Sequence, residues 1–330
     1  MMLHSADDGD DQMLVDMPLD ELRTYSGTNP CPPDFDEYWS RGLADLDATP
    51  PGITIEPAGF SAPHAECFSL FFTGVGGARV HAKLVKPREA KKPGPAVVHF
   101  HGYTGSSGDW AGYLGWAGAG FVSAALDCRG QGGASEDRGG VRGNTHHGHI
   151  IRGLDDHEDR LLFRQIFLDA VRLARIVMDL DEVDPDRVGA TGASQGGGLT
   201  LACASLEPRI RRAASIYPFL SDYRRVWEMD LAKGAYQELQ DYFRRYDPTH
   251  ERRDTAFARL GYIDVHNLSS RIRANTLMLT GLMDQVCPPS TQFAAYNAIT
   301  SPKGMVLYPD FGHENLPGAG DRVFAHLLEL

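Results

Sequence analysis

Basic residues are in short supply in this 330-residue chain, with 32 Lys and Arg against 44 Asp and Glu, a formal net charge of -12. An acidic surface repels a phosphate backbone, so no nucleic-acid partner is expected. Cysteine is scarce and odd in number, at Cys31, Cys67, Cys128, Cys203 and Cys287. Those positions follow neither a disulfide framework nor a metal-ligand spacing, so a reduced, cytoplasmic protein with no metal and no other cofactor is expected. No stretch approaches the roughly 20 apolar residues that cross a bilayer, and no membrane partner is expected. The first 20 residues lack the basic start and apolar run of a secretory signal; they carry Asp7, Asp8, Asp10, Asp11 and Asp16 instead. Internal repeats and low-complexity linkers are missing too, which favours one domain.

The chain does contain many short apolar runs ended by glycine-rich loops. Residues 96–100, 121–126, 187–191, 212–217, 276–280 and 305–308 read as buried strands. Helical segments alternate with them. The longest, from about 157 to 180, repeats Leu162, Ile166, Ala170, Leu173, Val177 and Leu180 at three and four residues as a single apolar stripe. A helix is also expected to start at Asp109, and others at 292–299 and 322–330. Alternation of this kind makes a mostly parallel sheet with helices on both faces. Upstream, 53–57, 67–72 and 79–85 read as strands, the last two joined by a Gly76-Gly77 hairpin turn. Residues 1–50 read as an N-terminal extension packing on the core, with Asp34 capping a helix whose apolar face is Phe35, Tyr38, Trp39 and Leu43. Residues 51–330 form the main domain, with a cap-like insertion at about 222–265.

One turn organises the rest. Gly192-Ala193-Ser194-Gln195-Gly196 fits the Gly-x-Ser-x-Gly nucleophile elbow, with a strand before it and a helix of small residues after it. A serine hydroxyl needs a base beside it. On this elbow the partners follow in the order Ser, Asp or Glu, His. Asp284 and His313 each follow a late strand, so His313 is the expected base and Asp284 the residue that orients it. Asp310 competes with Asp284. His101, His146, His147, His149, His250 and His266 compete with His313. The oxyanion donors are expected from the N–H of Gln195 and from the loop after 96–100, with Tyr103 preferred over Gly102 and Thr104. Arg129 and Gln131 read as structural residues bridging loops near the site. His146-His147-Gly148-His149 lacks cysteine ligands and a known spacing, and reads as a solvated loop.

Together these motifs resemble the acetyl xylan esterase and cephalosporin-C deacetylase family, carbohydrate esterase family seven. Its signatures stand here as Arg129-Gly130-Gln131, Gly192-Ala193-Ser194-Gln195-Gly196 and His313-Glu314. Gly281-Leu282-Met283-Asp284 with Cys287-Pro288-Pro289-Ser290-Thr291 is similar to the family's acid loop, and Asp34-Phe35-Asp36-Glu37-Tyr38-Trp39 to its N-terminal helix. The resemblance implies an α/β-hydrolase fold and a serine esterase that deacetylates small substrates such as acetylated xylo-oligosaccharides and cephalosporin C. It implies Ser194, Asp284 and His313 as triad, Tyr103 and Gln195 as oxyanion donors, and a homo-oligomer, a hexamer with inward-facing sites. The chain departs from the family at Ala235, where many members carry proline, and across 133–149. A broader carboxylesterase or related serine hydrolase is the alternative. A peptidase would need a site for a substrate amine, and none is evident. A non-catalytic scaffold would be expected to have lost a triad residue, and all three are present.

Overall fold

The apolar runs pair into one sheet. In the computed structural model, which describes residues 15–89, 93–138 and 149–330, its strands are β1 (Thr54–Ala62), β2 (Ala65–Thr73), β3 (Arg79–Pro87), β4 (Gly94–Phe100), β5 (Val122–Leu126), β6 (Val183–Ala193), β7 (Arg212–Ile216), β8 (Asn275–Gly281) and β9 (Lys303–Tyr308). They lie in the order β1-β2-β3-β5-β4-β6-β7-β8-β9. The pairings β1–β2, β2–β3 and β3–β5 are antiparallel. From β5 through β4 to β9 every pairing is parallel. The expected α/β architecture with a mostly parallel sheet is therefore present. The β2–β3 turn places Gly76 and Gly77 at φ 78° and 80°, a conformation that strains any residue with a side chain.

Helices cover both faces, as parallel strands require. In chain order they are α1 (Leu19–Leu22), α2 (Phe35–Ala48), α3 (Leu114–Gly118), α4 (Leu162–Met178), α5 (Gln195–Leu206), α6 (Tyr223–Glu228), α7 (Gln237–Tyr246), α8 (Arg253–Leu260), α9 (Val265–Leu268), α10 (Pro289–Ala298) and α11 (Ala319–Leu328). Alternate residues of β4 point to opposite faces. Val98 joins the core built with α2, α4 and α5, whereas Val97 joins Trp116 of α3 and Val323 and Leu327 of α11.

Four local expectations are corrected. The long helix begins at Leu162, because Leu161 is extended (φ -57°, ψ 127°) and a 3-10 turn at Glu158–Arg160 precedes it. It is buried nearly all round rather than along one stripe, since α2 lies over its outer side and Trp39 stacks on Phe167 at 5.8 Å. Asp34 precedes α2 but makes no cap bond; its carboxylate accepts the Tyr262 hydroxyl. The segment after Asp109 is a 3-10 turn, Trp110–Tyr113, before the short α3.

Long-range polar contacts tie the N-terminal segment to the helices of 222–265. The buried Asp222 carboxylate accepts the Tyr25 hydroxyl at 2.7 Å and the Asn29 N–H at 2.9 Å. Trp39 Nε1 donates to the Tyr262 carbonyl at 3.0 Å. Within 222–265, Trp227, Phe243 and Phe257 pack ring against ring at 5.3–5.7 Å. Tyr236 meets Phe219, beyond the end of β7, edge-on at 4.4 Å.

Candidate active site

The strand β6 runs straight into α5, and Ser194 sits at the junction with φ 58° and ψ -119°. A non-glycine residue there is strained, and such strain persists only where its surroundings enforce it. The flanking glycines enforce it by contact. A Cβ on Gly196 would lie 2.0 Å from the Phe100 carbonyl oxygen, and one on Gly192 would lie 2.5 Å from the same oxygen. The Ser194 N–H donates to the Ile216 carbonyl at 2.9 Å, which fixes the turn against β7.

Two loops from other parts of the sheet's carboxyl edge complete the arrangement. His313, after β9, has Nε2 3.0 Å from Ser194 Oγ. Its Nδ1 lies 2.8 Å from Asp284 Oδ2, in the loop after β8. Asp284 is fully buried, and its Oδ1 accepts the N–H groups of Val286 and Cys287, both at 2.8 Å. With Oδ1 held by the backbone, Oδ2 is left to accept the His313 ring N–H. Asp310 is exposed, and the carboxylate on the His313 ring is that of Asp284.

The other histidines go elsewhere. His101 Nε2 accepts the Cys128 N–H at 3.0 Å. His250 packs on Trp227 and Phe243, and His266 contacts Asp264. His149 bridges Tyr103 and Gly130, whereas His146 and His147 lie outside the described residues.

The loop after β4 brings Tyr103 beside the elbow: a Cβ on the neighbouring Gly102 would come within 4.0 Å of the Ala193 carbonyl. The Tyr103 N–H has no acceptor among the described residues. Gln195 opens α5, where the first N–H groups of a helix lack intrahelical partners. Thr104 follows at φ 59°, an outlier for a β-branched residue.

Gln131 joins these two places. Its Nε2 donates to Gln195 Oε1 at 2.7 Å, while its Oε1 accepts from Gln195 Nε2 at 3.0 Å and from the Thr104 N–H at 2.9 Å. Arg129 makes a two-pronged pair with the buried Asp169 of α4, both contacts at 2.6 Å, and donates to the Val75 carbonyl at 3.1 Å. Both residues bridge loops around the elbow.

Three neighbours were given no role by the sequence. The Tyr217 ring lies 4.6 Å from that of His313. Gln292 Nε2 approaches Asp284 Oδ2 at 3.4 Å. The buried Cys287 brings its sulfur into a group with Asp284 and His313 whose donor atoms lie within 4.8 Å of one another. Burial and the Asp284 charge push the Cys287 thiol well above its ordinary range, against a hydrogen bond with Ser194 that works the other way, so it is held as the neutral thiol. The advance signals for these residues were position after a strand at the carboxyl edge and, for Cys287, its place in the stretch similar to the acid loop.

An elbow serine between close-packed glycines, followed in chain order by an aspartate and a histidine at the carboxyl edge of a mostly parallel sheet, defines an α/β-hydrolase. The model of the acetyl xylan esterase (AXE1) family matches residues 12–330, and the chain belongs to that family, a family of carboxylic ester hydrolases. Acetyl xylan esterase 1 from Thermoanaerobacterium sp. JW/SL YS485 is 59% identical, with a TM-score of 0.94 over 95% of this chain and 99% of that one. The acetyl xylan esterase from Paenibacillus sp. R4 is 36% identical, with a TM-score of 0.90 over 94% and 99%. The acetyl esterase Axe7A of Xylanibacter ruminicola is 26% identical over 290 residues, 84% of this chain; the chain spans 62% of that relative's length. Among the described residues no helix is long and apolar enough to cross a membrane.

Proposed function

We propose that the chain is a serine esterase that removes acetyl groups from small acetylated carbohydrates such as acetylated xylo-oligosaccharides. The observation that carries this reading is the continuous contact from Ser194 Oγ to His313 Nε2 at 3.0 Å and from His313 Nδ1 to Asp284 Oδ2 at 2.8 Å. Ser194 Oγ attacks the acetyl carbonyl carbon while His313 Nε2 takes the hydroxyl proton. The carbonyl oxygen, now an oxyanion, receives the N–H groups of Gln195 and Tyr103. The intermediate collapses by breaking the bond to the sugar oxygen, and His313 returns its proton to that oxygen. Water then attacks the acetyl-enzyme, gives a proton to His313, and releases acetate as Ser194 recovers its own. Asp284 holds the ring tautomer and stabilises the imidazolium in both halves.

The helices of 222–265 serve as the cap over this centre, and a homo-oligomer, a hexamer by family resemblance, is part of the same reading. Exposed Ile53, Ile55 and Phe60 on and beside the edge strand β1 offer an apolar surface for such assembly. Sedimentation analysis tests the assembly. The chemistry is tested by a fluorophosphonate label and by a p-nitrophenyl ester series from acetyl upward, run beside acetylated xylo-oligosaccharides and cephalosporin C. Labelling of Ser194 with a rate that collapses beyond propionyl supports a deacetylase. A flat rate across chain length favours the broader carboxylesterase, and an unlabelled Ser194 in folded protein removes the enzyme reading.

A further inference from the structure

A cavity of about 470 Å³ lies between the oxyanion loop and the start of α7. Tyr103 and Thr104 line one side, Gln237, Glu238 and Asp241 the other, with His149 beside them. Its volume falls within the roughly 300–1,000 Å³ of small-molecule sites. Tyr103 belongs to both places: its backbone N–H is the expected oxyanion donor, and its side chain is a wall of the cavity. A ligand held there would touch the same loop that carries that N–H.

The cavity walls are braced. The Glu238 carboxylate is nearly fully buried and accepts the N–H groups of His149, Ile150 and Ile151 at 3.1, 2.8 and 3.3 Å. Its oxygens are therefore engaged in holding the 149–151 backbone. The His149 ring contacts the Tyr103 hydroxyl at 3.2 Å through Nδ1 and the Gly130 carbonyl at 2.8 Å through Nε2. Thr104 is kept in its left-handed conformation by Gln131, and its hydroxyl has no partner among the described residues. Strain of this kind is costly and clusters where a site needs it.

The chemistry of the lining selects the occupant. An acetyl methyl needs far less room than this, so the cavity does not suit the acyl side. Gln237 and Asp241 are four residues apart on α7 and therefore share a face. Gln237 Nε2 donates to Gln240 Oε1 at 2.9 Å and lies 3.5 Å from Asp241 Oδ1, so an amide and a carboxylate stand side by side on that face. The lining carries the Asp241 carboxylate and no Lys or Arg, which disfavours uronic or phosphorylated sugars by charge. An aromatic wall opposite suits the C–H face of a pyranose ring.

We propose that this cavity is the subsite for the leaving alcohol, a neutral pyranose with adjacent free hydroxyls, bound by Asp241 and Gln237 on one side and by Tyr103 and Thr104 on the other. The inference rests on the esterase reading above. Its test is the ratio of kcat/KM for an acetylated xylotriose to kcat/KM for p-nitrophenyl acetate, whose leaving group has no vicinal hydroxyls. In Asp241→Ala and Gln237→Ala that ratio falls about tenfold, as expected for lost hydrogen bonds to the substrate. Asp241→Asn, which keeps one acceptor oxygen, recovers part of the loss. A ratio unchanged in all three variants overturns the subsite, whether or not the two rates fall together. If the unmodified protein hydrolyses neither ester, it is the esterase reading that fails.

Discussion

The side-chain amides of Gln131 and Gln195 face each other and exchange hydrogen bonds of 2.7 and 3.0 Å. Because Gln131 also accepts the Thr104 N–H, one amide sets the separation between the loop after β4 and the first residue of α5. Those are the two sources proposed for the oxyanion donors. Deleting a donor outright costs about 10²–10³ in kcat, and misplacing one costs a fraction of that. Gln131→Leu should therefore lower kcat roughly 10- to 100-fold with KM little changed. Steady-state kinetics on p-nitrophenyl acetate, with circular dichroism to verify the fold, checks this. A rise in KM alone would mean that Gln131 shapes binding and not the oxyanion site.

Ser194→Ala removes the proposed nucleophile and nothing that packs. Turnover should fall by about 10⁴-fold or more, fluorophosphonate labelling should vanish, and the melting temperature should stay close to that of the parent. Gly196→Ala is the contrasting change. Its new methyl would sit 2.0 Å from the Phe100 carbonyl oxygen, so β4 or α5 must move. That variant should lose stability as well as activity, seen as a lowered thermal midpoint.

Asp284→Asn is predicted to be severe for a reason visible in its contacts. The Oδ1 position faces two backbone N–H groups, from Val286 and Cys287, and must remain an oxygen. The new amide nitrogen is thereby turned toward His313 Nδ1, which then accepts, leaving the ring proton on Nε2 against Ser194. That is the wrong tautomer for a base, and a loss of about 10⁴-fold in kcat is expected. The exposed Asp310→Asn should be close to neutral. Near-parental activity in Asp284→Asn would reverse the two assignments.

Much of this was legible in advance because it is local. Short apolar runs such as 96–100, alternating with helical stretches, fit strands buried on both faces, and the glycines around Ser194 announce a backbone approach that no larger residue allows. Chain order alone then selected His313 and Asp284 from 13 histidines and many carboxylates, and the structure brings those two together beside Ser194. What stayed hidden depends on partners far away in the chain. Asp34 has the composition of a cap, yet Tyr262, 228 residues on, takes its carboxylate. The helix of 162–178 reads as amphipathic because Arg164, Asp169 and Arg172 interrupt its apolar pattern. They are buried nonetheless, each with a partner: Asp45 for Arg164, Arg129 for Asp169, and the Thr49 carbonyl for Arg172. Tyr217 and Gln292 carry no motif, Cys287 stands in the acid loop with nothing to mark its sulfur, and only the folded sheet edge puts all three beside the centre.

Glu238 provides a pH signature that tests how residues 149–151 are held against α7. Burial raises its carboxyl, the three backbone N–H groups pull it down, and the net result is a rise from 4.5 to about 7. In the unfolded chain the group ionises near 4.5, whereas in the folded protein it keeps its proton until about 7. The stability it contributes is thus fully present below 4.5, declines as pH rises toward 7 because unfolding then releases a proton, and is constant above that. Glu238→Gln has no proton to release. It loses part of the clasp on residues 149–151, a penalty independent of pH, while escaping the pH-dependent one. The variant should therefore be less stable than the parent at pH 4.5 and recover relative to it by pH 8, read as the difference in melting temperature between the two proteins across that range. Other titrating groups cancel in that difference. A difference that stays flat would mean that the carboxylate ionises in the folded protein as it does in water, and that the backbone N–H groups outweigh burial at this position.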